Sequence, residues 1–417
     1  MGTCVCATVT TSDGSSRPVD NLDQALLAPT EGLVELQYSY APELLPADHL
    51  SLTGMWRYLD LLPLDESSIL YPLAVGGTPL IALPGLRQAA GLPNLWIKDE
   101  TRSPTGSNKD RATALVLEHA LRHGARTVTA ASTGNVAVSL SVGAAAAGLQ
   151  AVIFVPADVG EAKLRLMLLA GATVFKVEDG YEAAFQLSRA SARTFGWYDR
   201  NTGCSPLTIE AKKTVAFEIW EQLGRRMPDA AIVPVGDGTT LSAMFKGFRE
   251  LVACGVADRT PRMIGVQAEG CQPLKRAWET GEPLQAVKAS TIAEGIAVSV
   301  AINGITALRD VRQSAGGFVA VSDEAILQAI QTLASHGGIL AEPAGAAGYA
   351  ALEPALSSGL IDRSESVVIL VTGSGLKTPQ YLRPRGTALT IHADLAEVRR
   401  AVQQPAMPTG SLPERPG

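Results

Sequence analysis

Charge is scarce in this chain. Only 18% of its 417 residues are charged, against 46% hydrophobic, a balance that suits a globular protein with a generous interior. The net charge of −6, with no Lys/Arg stripe above the background, argues against nucleic acid as a partner. Cysteine is scarcer still. Cys4, Cys6, Cys204, Cys254 and Cys271 are odd in number and irregularly spaced, so a reducing, cytoplasmic setting is expected. Cys4-Val5-Cys6 has neither a second pair nor a nearby histidine to complete a tetrahedral set, so no metal site is expected. No basic segment followed by an apolar core opens the chain, which speaks against a secretory leader. The uncharged run from Val136 to Ala157 is long enough to raise the question of a membrane. Ser139, Ser141 and Gln150 interrupt it, and Gly148 divides it into a small-residue helix and a strand, so it reads as buried core. Also missing is a Gly-x-Gly-x-x-Gly after the first strand with an acid at the proper distance. That weakens the reading of a nonenzymatic nucleotide-binding protein on a Rossmann-like sheet.

What is present is alternation. Apolar strand patterns at Leu95–Lys98, Thr127–Ala130, Ala151–Val155, Thr173–Val177, Ala230–Val235, Met263–Gln267 and Val367–Val371 alternate with helical patterns, among them 163–169, 181–195, 214–223 and 323–336. Such alternation implies an α/β fold of parallel sheets with helices on both faces. The length favours two domains. The expected division is an N-terminal extension over 1–50, its first thirty or so residues mobile; a large domain from 51–112 and 198–400; a smaller inserted α/β domain over 113–197; and a disordered proline-rich tail over 401–417.

One stretch invites chemistry. In Ser103-Pro104-Thr105-Gly106-Ser107-Asn108-Lys109-Asp110-Arg111, Pro104 and Gly106 break the chain, Ser107 or Asn108 can cap, and an apolar helical pattern begins at Ala112. Lys109 thus falls in a first helical turn, where the amide dipoles oppose a cation. By position it is either a solvated side chain balanced by Asp110 or an amine held out of water, its pKa lowered, as a nucleophile toward a carbonyl. Three strands also end in small polar loops: Ser132-Thr133-Gly134-Asn135, Gly236-Asp237-Gly238-Thr239-Thr240 and Thr372-Gly373-Ser374-Gly375. In open parallel sheets ligands bind at the carboxyl ends of strands, and loops that open helices present free amides to anions. Pyridoxal phosphate carrying an amino acid has matching handles: a phosphate, a carboxylate, a phenolic oxygen, a ring nitrogen and an aldehyde that needs a lysine.

Lys98-Asp99-Glu100 and Ser103 to Arg111 resemble the Schiff-base motif of threonine synthases. Ala131-Ser132-Thr133-Gly134-Asn135, Glu342-Pro343-Ala344 and Thr372-Gly373-Ser374-Gly375-Leu376-Lys377 are similar to further blocks of that family, in order, over about 52–379. The resemblance implies the fold type II architecture of the tryptophan synthase β superfamily, a homodimer, and pyridoxal 5′-phosphate as cofactor. It implies that Lys109 is the catalytic, Schiff-base lysine. Ser132, Thr133, Gly134 and Asn135 would hold the substrate carboxylate, with Asn135 also touching the cofactor's phenolic oxygen. Gly236, Asp237, Gly238, Thr239 and Thr240 would cup the phosphate. Thr372 would be a neutral partner for the pyridine nitrogen, favouring β- and γ-elimination or replacement.

Three positions depart from the family. Asn108 stands where phenylalanine usually precedes the lysine. The cup, Gly-Asn-x-Gly-Asn in the family, reads Gly236-Asp237-Gly238-Thr239-Thr240, which requires the Asp237 carboxylate to turn away and leaves backbone amides and two threonine hydroxyls for the phosphate. The block Asn-Ser-x-Asn-Pro-x-Arg-Ile-Glu-Gly-Gln-Lys-Thr reads Asn201-Thr202-Gly203-Cys204-Ser205-Pro206-Leu207-Thr208-Ile209-Glu210-Ala211-Lys212-Lys213-Thr214, with Thr208 in place of the arginine that grips the substrate's own phosphate. Asn201 and Thr202 remain expected substrate contacts. Lys212 follows Thr208 by four residues on the same helical face and is either a replacement cation or a surface lysine. The family reaction is O-phosphohomoserine to threonine. The altered block keeps open β-replacement or elimination on serine, threonine or their O-phospho forms.

Overall fold

The computed structural model describes residues 4–10, 15–18, 33–46, 52–64, 68–201, 205–384, 386 and 388–403. Strands β1 (Cys4–Thr10), β2 (Ser16–Pro18) and β3 (Leu33–Tyr38) form an antiparallel sheet in the order β2-β1-β3. The mobile character expected of the first thirty residues is therefore corrected for 4–10 and 16–18. The sequence Cys-Val-Cys-Ala-Thr-Val-Thr has the β-branched content and period of a half-buried strand. Val34, Leu36 and Tyr38 of β3 are buried and join the main hydrophobic core.

Next come β4 (Leu80–Ile81), β5 (Leu95–Asp99), β6 (Thr127–Ala131), β7 (Gln150–Pro156), β8 (Thr173–Val177), β9 (Tyr198–Asp199), β10 (Ala230–Pro234), β11 (Arg262–Ala268), β12 (Gly317–Val321) and β13 (Val367–Val371). They build two sheets. One is six-stranded, β12-β11-β10-β13-β5-β4, parallel except for β4; the other is four-stranded and parallel, β8-β7-β6-β9. Central β10 and β13 are buried at every position, which is why they read as unbroken apolar runs instead of alternating ones. The short β9 lies past the expected domain boundary at 197, yet pairs with β6. Among the described residues, no helix is long and apolar enough to cross a membrane. The tail expected from 401 begins inside a helix, Leu395–Gln403, and 404–417 lie outside the described residues.

Two buried ionic clusters tie the helices to this frame. Arg111, in the helix Lys109–Arg122, binds Glu100 at 2.7 Å and Glu218 at 2.6 Å, and Lys98 reaches Glu218 at 2.7 Å. In the second, Lys213 lies 2.5 Å from Glu210 and 2.8 Å from Glu250, and Tyr38 donates to Glu210 at 2.8 Å, fastening the N-terminal sheet to the helix Pro206–Gln222.

Candidate active site

Strand β5 leads through a 3-10 turn, Glu100–Arg102, into the loop that delivers Lys109. Several bonds fix that loop. Gly106 has φ +69°, and an added Cβ would stand 3.0 Å from the Ser374 side chain. Lys377 Nζ donates to the carbonyls of Thr105 (2.7 Å) and Gly106 (3.0 Å). The Asn108 amide donates to Thr372 O at 2.9 Å and the Ser374 amide to Gly106 O at 2.8 Å, so the loop after β13 and the Lys109 loop are joined. Asp110 accepts from the Thr105 amide (2.7 Å) and hydroxyl (2.6 Å), which commits its carboxylate to the loop.

Lys109 is the first residue of its helix, and Asn108, at the cap position, makes no side-chain cap bond. The amine finds Asn108 Oδ1 at 3.4 Å and opens on a cleft of about 320 Å³ shared with Gly236, Asp237, Gly238, Thr240, Gly295 and Thr372. Burial pulls its pKa below the ordinary lysine value; Asp237 and Glu342 pull it back up, and Arg200 pushes it down. Burial thus disfavours the charged amine, the direction that the second of the two readings requires.

Around it, the sequence-expected loops behave differently from one another. Ser132 to Gly134 open the helix Asn135–Ala146; Ser132 Oγ accepts from the Gly134 amide at 3.1 Å, and a Cβ on Gly134 would meet no heavy atom within 4 Å. Asn135 Nδ2 donates to both oxygens of buried Glu342, at 2.7 and 3.0 Å, and its buried Oδ1 has no partner among the described residues. The Gly236–Thr240 turn is strained in glycine's favour: Gly238 has φ +95°, and a Cβ there would stand 2.6 Å from Asn303 O. Asp237 does turn inward, accepting from the Thr239 amide at 3.0 Å and its hydroxyl at 2.8 Å. Thr239 is fully buried, and its hydroxyl, expected to serve a phosphate, here accepts from Asn303 Nδ2 and donates to Asp237 within the turn. Thr240 remains on the cleft, and in its helix, Thr239–Ala253, the amides before Ser242, which donates to Gly238 O at 3.1 Å, have no intrahelical acceptor by geometry.

The expected substrate contacts divide. The Asn201 amide is committed to protein: Oδ1 accepts from Ala131 N (2.8 Å) while Nδ2 donates to Asp199 (2.8 Å) and Ser188 (3.1 Å). These bonds hold the end of β6 in place. Thr202 lies outside the described residues. Lys212 is no surface lysine. It is buried, with Nζ 3.2 Å from Thr240 Oγ1, and both Lys109 and Arg200 act on it electrostatically.

Sequence reasoning left Glu342, Lys377 and Arg200 without roles. The first two sit in the quoted blocks Glu342-Pro343-Ala344 and Leu376-Lys377 and could have been found there. Arg200 carries no pattern; burial among Asp199, Asp110 and Asp237 defines it, and desolvation lowers its pKa to about 10.

These residues suit an aldehyde-phosphate cofactor. An amine whose pKa burial lowers and a helix-opening glycine turn share one cleft, and Glu342, which acts on that amine, binds Asn135, whose buried Oδ1 has no partner among the described residues. With the two parallel sheets they define a fold type II pyridoxal-phosphate enzyme. A family model described as pyridoxal-phosphate dependent enzyme matches residues 71–373. The threonine synthase of Methanocaldococcus jannaschii is 35% identical over 355 residues, 84% of this chain and 87% of that protein. That of Mycobacterium tuberculosis H37Rv is 37% identical over 323 residues, 77% of this chain and 88% of that protein. Among solved structures, the T.th. threonine deaminase superposes with a TM-score of 0.61 at 26% identity, over 71% of this chain and 92% of its own. The chain belongs to the pyridoxal-phosphate dependent enzyme family, as a threonine synthase-like lyase.

Proposed function

We propose that this enzyme converts O-phosphohomoserine to threonine, in the cytoplasm and as a homodimer, with the four-stranded sheet as the smaller lobe of the site. The observation that carries the reading is Lys109, its pKa lowered by burial, on one cleft with the Gly236–Thr240 turn, in a chain 35% identical to an archaeal threonine synthase over most of its length. Pyridoxal phosphate supplies the electron sink that makes the protons of a bound amino acid removable. Lys109, with its lowered pKa, takes and returns those protons. The amides opening the helix Asn135–Ala146, with Ser132 and Thr133, hold the substrate carboxylate. Asn135 Oδ1, without a partner among the described residues, would bind the cofactor's phenolic oxygen, and Glu342 holds the Asn135 amide through Nδ2. Thr372, at the end of β13, meets the ring nitrogen without charge, and Thr240 with the amides beside it receives the phosphate.

One observation favours a second reading, β-replacement or elimination on serine, threonine or their O-phospho forms. Thr208, buried in the first turn of its helix with Oγ1 unpartnered among the described residues, stands where the family block has arginine. Doing without a charge-assisted hydrogen bond at that point costs about 1.5–3 kcal/mol, or ten- to hundredfold in binding. Purified holoenzyme offered O-phosphohomoserine should release phosphate and threonine in equal amounts, and Thr208→Arg should raise kcat/KM for it by about tenfold or more. Release of ammonia or a substituted product from serine or O-phosphoserine, with O-phosphohomoserine inert, would select the second reading.

A further inference from the structure

Lys212 presents a problem that the family reaction does not solve. Its side chain is 3% exposed and its Nζ has a hydroxyl, Thr240 Oγ1, at 3.2 Å. An ammonium carries three donors, and a buried one held by a single neutral oxygen is poorly compensated. Its charged surroundings are Lys109 and Arg200, both cations, and Asp237, whose two carboxylate oxygens already accept from Thr239. Desolvation and the two cations push Lys212 well below the ordinary lysine pKa, and Asp237 opposes them. Among the described residues Asp237 is the one anion acting on Lys212, and Thr240 Oγ1, at the opening of the helix Thr239–Ala253 and on the Lys109 cleft, marks where a second would sit.

The sequence changes pair up in the same place. Where the similar family writes Gln in its Gly-Gln-Lys-Thr block this chain has Lys212, and where that family's cup has Asn this chain has Asp237. One substitution adds a negative charge to the phosphate turn; the other adds a positive charge facing it.

We propose that Lys212 is a ligand of the cofactor's phosphate, offsetting Asp237 in the turn, and is thereby withdrawn from the substrate. The proposal rests on the pyridoxal-phosphate reading of the cleft and deepens it. It gives the turn a cation in place of a neutral amide and leaves Thr208, not Lys212, as the residue that faces the substrate's leaving group from this helix.

The test compares binding of pyridoxal 5′-phosphate with that of pyridoxal, which lacks the phosphate, in full-length apoprotein followed by cofactor absorbance. Lys212→Gln should weaken pyridoxal 5′-phosphate about ten- to hundredfold and leave pyridoxal unchanged. Lys212→Arg should retain most of the affinity, and Asp237→Asn added to Lys212→Gln should recover part of the loss. Unchanged pyridoxal 5′-phosphate affinity in Lys212→Gln, with KM for the amino acid raised, would overturn the proposal and return Lys212 to the substrate. An equal loss for both aldehydes would overturn it too, as damage to packing. A parent protein that takes up neither aldehyde would sink the cofactor reading itself, an outcome distinct from both.

Discussion

His119 shows how burial decides the chemistry of a single side chain. It lies in the helix Lys109–Arg122, stacked on His123 at 4.0 Å between ring centres, and Tyr198 Oη lies 2.9 Å from its Nδ1. Desolvation lowers its pKa to about 4, with His123 and Arg122 adding to the effect. The unfolded chain titrates near the ordinary value of about 6.5, so between these values it binds a proton that the folded chain refuses. Stability therefore falls as pH drops through that window, by up to about 3 kcal/mol in total. Urea midpoints at pH 7 and pH 5 should show this fall, and His119→Gln, which keeps an acceptor for Tyr198, should flatten it. At this scale the sequence singled out Lys109, Asn135 and Thr372 as candidates, because each sits in or beside a loop that follows an apolar strand pattern. It could not disclose Asn201's inward commitments or the burial of Lys212. Those depend on neighbours such as Ser188 and Thr240, remote along the chain.

Elements are held to each other through charge as well as apolar packing. Arg111 touches Glu100, Glu218, Thr214 and Thr78, bridging the start of the Lys109 helix, strand β5's end and the helix that carries Lys212. All three contributing charges are buried, and Glu218 is held far below the carboxylate range: burial raises it, and Arg111 and Lys98 more than reverse that. Arg111→Met leaves two buried carboxylates short of a partner and should cost about 3–5 kcal/mol in denaturant unfolding. Adding Glu218→Gln should restore part of that loss, since the two sites share one network. Buried strands such as β10 and β13 were legible as apolar runs, and the helices as periodic ones. The strands β1 and β2 were missed because Thr, Ser and Pro weaken the apolar signal. Short β9 was missed because two residues carry no period.

Across the whole molecule, the four-stranded sheet is joined to the six-stranded one near the site by Lys163, in the helix Glu161–Leu169, which meets Glu294 at 2.7 Å. Glu294 is next to Gly295 and Ile296 on the cleft wall. Its side chain is 57% exposed, so the pair contributes little to global stability. Lys163→Met should leave the unfolding midpoint within about 0.5 kcal/mol of the parent. It should raise KM for the amino acid severalfold, because the contact ties the helix Glu161–Leu169 to the segment that lines the cleft at Gly295 and Ile296. Alternation along the chain announced parallel sheets, but which strands share a sheet follows from long-range pairing, as with β5 lying beside β13.

The central claim is that Lys109 carries the cofactor's aldehyde, and a neighbouring buried amine makes the test sharp. Holoenzyme reduced with borohydride, digested and analysed by mass spectrometry should lose its visible colour and carry one pyridoxyl group on the peptide containing Lys109. Label on Lys212 alone, or no label at all on protein saturated with pyridoxal 5′-phosphate, would contradict the account.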